Sequence, residues 1–159
     1  MKTWILAALV AAQAAAAPLR AQYDWGYASP EGGGKGTLAI LVDPATGQVV
    51  LEIHAPGERL AFLQGSAKDG YHLIIPRREV DERAIALSGL SLPFLPKLGS
   101  PQALHDLLCE GKGPGVTVTR RDKQGPVKMT HVGKDERGKE ITVWLKRTRF
   151  ERETAPPQP

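Results

Sequence analysis

"TLAILVDPATGQVVLEIH", residues 37–54, places two apolar, β-branched runs on either side of one short turn. The connection, "DPATG", has Asp43 to accept hydrogen bonds from turn amides, Pro44 to fix φ and Gly47 to take a positive φ. In the second run Val49, Leu51 and Ile53 alternate with Val50, Glu52 and His54. Period two is the signature of a strand with one buried face and one wetter face. The stretch is therefore a β-hairpin.

The same pattern extends in both directions. "RLAFLQG" (59–65), "YHLIIPRR" (71–78), "AIALSGL" (84–90), "GVTVTRR" (115–121), "GPVKMTHV" (125–132) and "KEITVWLKRTRF" (139–150) all read as strands. Four turns run from Asp to Gly: Asp43 to Gly47, Asp69-Gly70, Asp122 to Gly125 and Asp135 to Gly138. Such turns between β-branched runs indicate an antiparallel meander. In "KEITVWLKR" Ile141, Val143 and Leu145 oppose Thr142, Trp144 and Lys146, again with period two. "TLAILV" and "YHLIIP" are apolar on both faces, which calls for cover on both sides. The expected class is mainly β (α+β): a curved antiparallel sheet or incomplete β-barrel with a short covering helix.

That helix is expected at Pro101–Glu110. Ser100 is a good N-cap, Pro101 suits the first helical position, and Gly111 suits the residue after the last turn. Ala103, Leu104, Leu107 and Leu108 fall on one helical face. Upstream, "LSLPFLPKLG" (90–99) is no helix, because Pro93 and Pro96 push the residues before them toward extended backbone. Phe94, Leu95 and Leu98 then need cover from the sheet or from a ligand.

The ends read differently. "MKTWILAALVAAQAAAAPLRA" has Lys2, a short apolar run and small residues, the layout of a secretory signal peptide over 1–21. Ala14-Ala15-Ala16 offers an alternative cleavage site. The apolar run is shorter than the roughly 20 residues of a membrane span. Residues 22–36, with "PEGGGKG", are expected to be a flexible segment, 37–151 a single β-rich domain, and the polar, Pro-rich 152–159 a disordered tail. The expected location is periplasmic or secreted. Cys109 is the only cysteine, so no internal disulfide is possible, and none sits where a lipid anchor needs one. Its setting suggests a small hydrophobe at a helix end.

Charge is uneven. Residues 110–159 hold 12 Lys/Arg against 7 Asp/Glu, a net of +5, while 1–109 hold 9 against 10, a net of −1; together they give the chain's +4. Catalytic motifs are missing from the sequence: there is no phosphate loop, no nucleophile elbow and no Cys-x-x-Cys. His54, His72, His105 and His131 lack metal-ligand spacing. "EGGGKG" lacks phosphate-loop spacing, "REVDER" reads as a solvated turn or strand edge, and the pair Asp81/Glu82 has nothing near it that suggests burial. No enzyme, metal or cofactor is expected.

What remains is binding. A curved sheet under an apolar lid can hold an acyl chain, driven by burial of apolar surface at about 25 cal/mol per Å². The same residues can equally fill a closed core. The candidate lining residues are Leu51, Ile53, Phe62, Leu73, Ile75, Phe94, Leu95, Met129, Ile141 and Val143. A second reading is an interaction module with a closed core and no ligand. Its basic strands, with Arg120, Arg121, Lys128, Lys146, Arg147 and Arg149, would meet an acidic envelope protein or an anionic membrane surface; nucleic acid is not expected.

"GLSLPFLPKLGSPQALHDLLCEG" (89–111) resembles the LolA/LolB superfamily, the periplasmic lipoprotein carrier and its outer-membrane receptor. Gly89, Leu92-Pro93, Leu95 and Gly111 look similar to the "Gly…Leu-Pro…Leu…Gly" segment of the receptor branch, and the order of strands, helical segment and paired C-terminal strands is alike over Leu38 to Phe150. The resemblance implies an incomplete antiparallel barrel covered by helices, with an apolar cavity for lipoprotein acyl chains. The receptor's anchoring cysteine has no counterpart here.

Overall fold

The computed structural model describes residues 17–152 except 89, 91 and 136. Nine strands form one antiparallel sheet: β1 (Leu19–Ser29), β2 (Gly32–Asp43), β3 (Gln48–Ala55), β4 (Glu58–Ser66), β5 (Gly70–Ile75), β6 (Val80–Ile85), β7 (Thr117–Asp122), β8 (Gly125–Lys134) and β9 (Glu140–Arg152). A single α-helix among the described residues, α1 (Pro101–Glu110), lies between β6 and β7. The strand order is β6-β5-β4-β3-β2-β1-β9-β8-β7, so two meanders join where β9 pairs with β1. The sheet is curved, and its edges β6 and β7 stay apart, so it is open rather than closed into a barrel.

The Asp-to-Gly turns set the register as their sequences require. Asp43 Oδ1 accepts from the Ala45 amide at 3.1 Å, Asp122 Oδ1 from Gln124 at 2.8 Å, and Asp135 Oδ1 from Arg137 at 2.8 Å and Lys139 at 2.9 Å. The closing glycines all have positive φ. Period-two burial then selects the concave face. Leu38, Ile40, Val42, Leu51, Ile53, Leu63, Leu73, Met129, Val143 and Leu145 are buried there in one cluster.

Cover comes from α1 and the segment before it. Ser100 Oγ accepts from the Ala103 amide at 3.0 Å, Pro101 opens the helix and Gly111 ends it at φ 73°. Leu104, Leu107 and Leu108 are buried, together with Leu92, Phe94, Leu95 and Leu98. Ala103, expected on the same face, is exposed. Among the described residues no layer covers the outer sheet face. Ala39 and Leu41 of β2, and His72 and Ile74 of β5, are only half-buried, shielded by neighbouring strands. The two-sided apolar pattern therefore does not mark a second covering layer.

Two boundaries are corrected. Residues 22–36 are not a flexible segment; they complete β1 and begin β2, paired from Leu19↔Val42 to Ser29↔Gly32. The reason is steric. The Trp25 indole crosses Gly36, and its Nε1 donates to the Thr37 and His54 carbonyls at 3.1 and 3.2 Å. Glycines that look like a linker are the gap into which aromatic rings fit. Leu19 and Ala21 are fully buried in β1. A leader ending at Ala21 would remove the start of a central strand, whereas one ending at Ala16 leaves it whole. Of "AIALSGL" only Ala84 and Ile85 are strand, as the end of β6, which runs over Val80–Ile85, so the charged "REVDER" run supplies most of the edge, where charge discourages pairing with other chains. Residues 1–16 and 153–159, the latter holding most of the expected disordered tail, lie outside the described residues.

A Cβ at Gly36 would lie 1.8 Å from the His54 carbonyl oxygen and 2.8 Å from the Trp25 ring. Gly36→Ala should lower stability by about 1–3 kcal/mol, the usual cost of overpacking, read as a lower urea midpoint with an unchanged slope. An unaltered midpoint would refute the close approach of Trp25 to β2.

Candidate functional site

Where Leu92–Leu98 crosses the rim of the concave face, Phe94 is the centre of contact. Its ring stacks on Trp25 with centroids 4.4 Å apart and on Tyr27 at 5.4 Å. Its backbone is held at both ends: the amide donates to the Lys134 carbonyl at 3.1 Å, and the carbonyl accepts from His131 Nε2 at 2.9 Å. Phe94 also has φ 67°, a left-handed conformation that bulky residues rarely adopt. This backbone strain, of order 1–3 kcal/mol, is offset by the two hydrogen bonds and the stacked rings.

His131 is 2 % exposed and sits on β8 beneath that carbonyl. Since Nε2 must donate to a carbonyl, Nδ1 is the unprotonated nitrogen, and it is buried with no hydrogen-bond partner. Burial lowers the imidazole pKa below its ordinary 6.5, and the bond to the Phe94 carbonyl only partly opposes this. The ring is therefore held neutral. Tyr23 Oη is likewise buried without a partner, and burial raises its pKa.

Outside this plug lies a groove of about 510 Å³, walled by Trp25, Tyr27, Ala55, Leu60, Phe94 and Arg77 and by the Gly32–Gly34 backbone. That volume lies in the range of small-molecule sites. A small recess of about 30 Å³, little more than one water, opens at the surface beside α1 between Lys97, Leu98, Ala103, Leu107 and Pro114. A third hollow of about 600 Å³ lies on the outer face between Arg20, Leu41, Val50, Glu52 and Arg149.

Nine of the ten expected lining residues lie in the concave core: Leu51, Ile53, Leu73, Ile75, Phe94, Leu95, Met129, Ile141 and Val143. Phe62 does not. A bulge opposite Ile53/His54 makes Leu60 an extra residue in β4, so Leu60 and Ala61 both turn inward and Phe62 turns outward. There its ring carries the Arg59 guanidinium at 5.0 Å. Strict alternation cannot reveal a bulge, which inverts every later side chain.

The six basic candidates separate as well. Arg120, Lys128 and Lys146 are exposed on the outer face. Arg147 points inward, its side chain 7 % exposed, and pairs with Asp122 and the Pro126 carbonyl. Arg121 donates to the Glu110 carbonyl, and Arg149 pairs with Glu151 beside the outer hollow. The role of His131 was hidden in sequence, since nothing local marks a strand histidine as the partner of a loop 37 residues away.

Polar chemistry stays scattered. His72 contacts Asp81 near the β6 edge, far in the topology from His131. Cys109 is half-buried, and burial raises its pKa, which keeps the thiol protonated. Among the described residues no group of three His, Cys, Asp or Glu could hold a metal, and no helix is long and apolar enough to cross a membrane.

The lowered His131 pKa carries a signed consequence. Between the ordinary value near 6.5 and the lower folded value, the unfolded chain binds a proton that the native chain refuses. Stability contributed by neutral His131 is thus present above about pH 6.5 and lost as pH falls. Urea unfolding across that range should show a steeper loss in wild type than in His131→Gln; equal slopes would refute a neutral, buried His131.

Comparison with protein-family models gives no match, and comparison with curated proteins gives none.

Proposed function

We propose that this chain is an exported envelope protein that takes a lipid or lipoprotein acyl chain against the concave sheet face, with Phe94 as the plug. The observation that carries this reading is the plug itself. A large aromatic residue is held in a strained conformation by two hydrogen bonds, directly between an apolar core and a groove of about 510 Å³. In the closed state the lining residues satisfy one another. Release of the Phe94 carbonyl from His131, with rotation of the ring off Trp25 and Tyr27, would expose Leu92, Leu95 and Leu98 together with the strand face. An acyl chain would then replace the lost contacts at about 25 cal/mol per Å². The resemblance to the LolA/LolB superfamily supports the same ligand class, and the sheet with its one-sided cover is the architecture such a site requires.

A second reading keeps the core permanently closed, with interaction through the basic strands alone. The burial of nine of the candidate lining residues in one cluster favours it.

Native mass spectrometry of the purified chain should show co-purified lipid, and a fluorescent fatty acid should be taken up. Phe94→Ala should accelerate uptake severalfold by removing the plug. A chain that carries no lipid and takes up no fatty acid, in wild type and in Phe94→Ala alike, would sink the acyl-chain reading.

A further inference from the structure

Strand register places three cations side by side. Arg120 of β7 is opposite Lys128 of β8, and Lys128 is opposite Lys146 of β9. All three are exposed on the outer sheet face, and among the described residues none forms an ion pair. The nearest carboxylate in the row is Asp24 of β1, opposite Lys146 and half-buried. Like charges directly opposed across a ladder destabilise it, so this row works against the fold that carries it.

Edge protection accounts for part of the pattern only. β7 is an edge, and charge there discourages pairing with other chains. β8 and β9 are interior strands, and Lys128 and Lys146 protect nothing. The charge is also concentrated. Residues 117–134 hold five Lys/Arg and one Asp, a net of +4, which is the net charge of the whole chain; everything else balances.

Beside the row the same face carries apolar groups. Val132 is 54 % exposed, and Trp144 lies half-buried across Gly26, where a Cβ would meet its ring at 2.3 Å. Basic side chains, an indole and an exposed aliphatic group on one sheet face match the layers of an anionic bilayer: phosphates, interfacial zone and outer acyl carbons. We propose that the outer face of β7, β8 and β9 docks on an anionic lipid bilayer surface through Arg120, Lys128 and Lys146, with Val132 and Trp144 at the interface. The proposal does not rest on acyl-chain uptake, because the two faces of the sheet are opposite and the recognised group here is a headgroup.

The test is sedimentation of the full chain with phosphatidylcholine vesicles with and without phosphatidylglycerol. Binding is expected only with phosphatidylglycerol and should weaken as salt rises. Arg120→Ser, Lys128→Ser and Lys146→Ser should each weaken it about fivefold and together about a hundredfold. Lys68→Ser/Arg83→Ser/Lys97→Ser, which removes the same charge elsewhere, should retain it. Binding that ignores phosphatidylglycerol, survives the row substitutions or falls equally in the control would overturn the proposal. Lys128→Gln should unfold at an equal or higher urea concentration; a lower midpoint would show the row satisfied within the fold and overturn it as well.

Discussion

The β1 ladder holds this molecule together. β1 pairs β2 on one side and β9 on the other, and the second contact brings Leu19 against Arg152. Without it the chain would be two meanders, each with an apolar face and no partner. Trp25 secures that strand. Its indole nitrogen reaches carbonyls on β2 and β3, and its ring supports Phe94. One side chain thus couples the centre of the sheet to the segment that covers it.

That coupling gives the rim its character. Phe94 pays in backbone strain for a position that the stacked rings and two hydrogen bonds hold. His131 contributes one of those bonds and leaves its other nitrogen unsatisfied in the core, a cost that apolar packing alone would avoid. A strained residue and an orphaned nitrogen at one contact lower the energy needed to part it. Elsewhere the cover is ordinary: α1 is capped at both ends and buries Leu104, Leu107 and Leu108.

Much of this was legible residue by residue. Asp43, Asp122 and Asp135 announce their turns, because a carboxylate two residues ahead of an amide forms the same local bond in any fold. Ser100, Pro101 and Gly111 bound the helix for equally local reasons. The burial of Leu51, Ile53, Leu73, Ile75, Met129, Ile141 and Val143 follows from alternation. Phe62 escaped, since a bulge is a relation between two strands and leaves no mark in one. The glycines of 32–36 misled, since absence of a side chain reads as freedom until a distant Trp25 fills the space.

The sequence by itself determined seven of the nine strands, their turns and the helix, because these depend on neighbours a few residues apart. Only the tertiary structure decided that β1 joins the two meanders, that Phe94 meets His131, and that three of six basic residues form one row. Each of those rests on pairing between distant strands, where register, not composition, selects which side chains become neighbours.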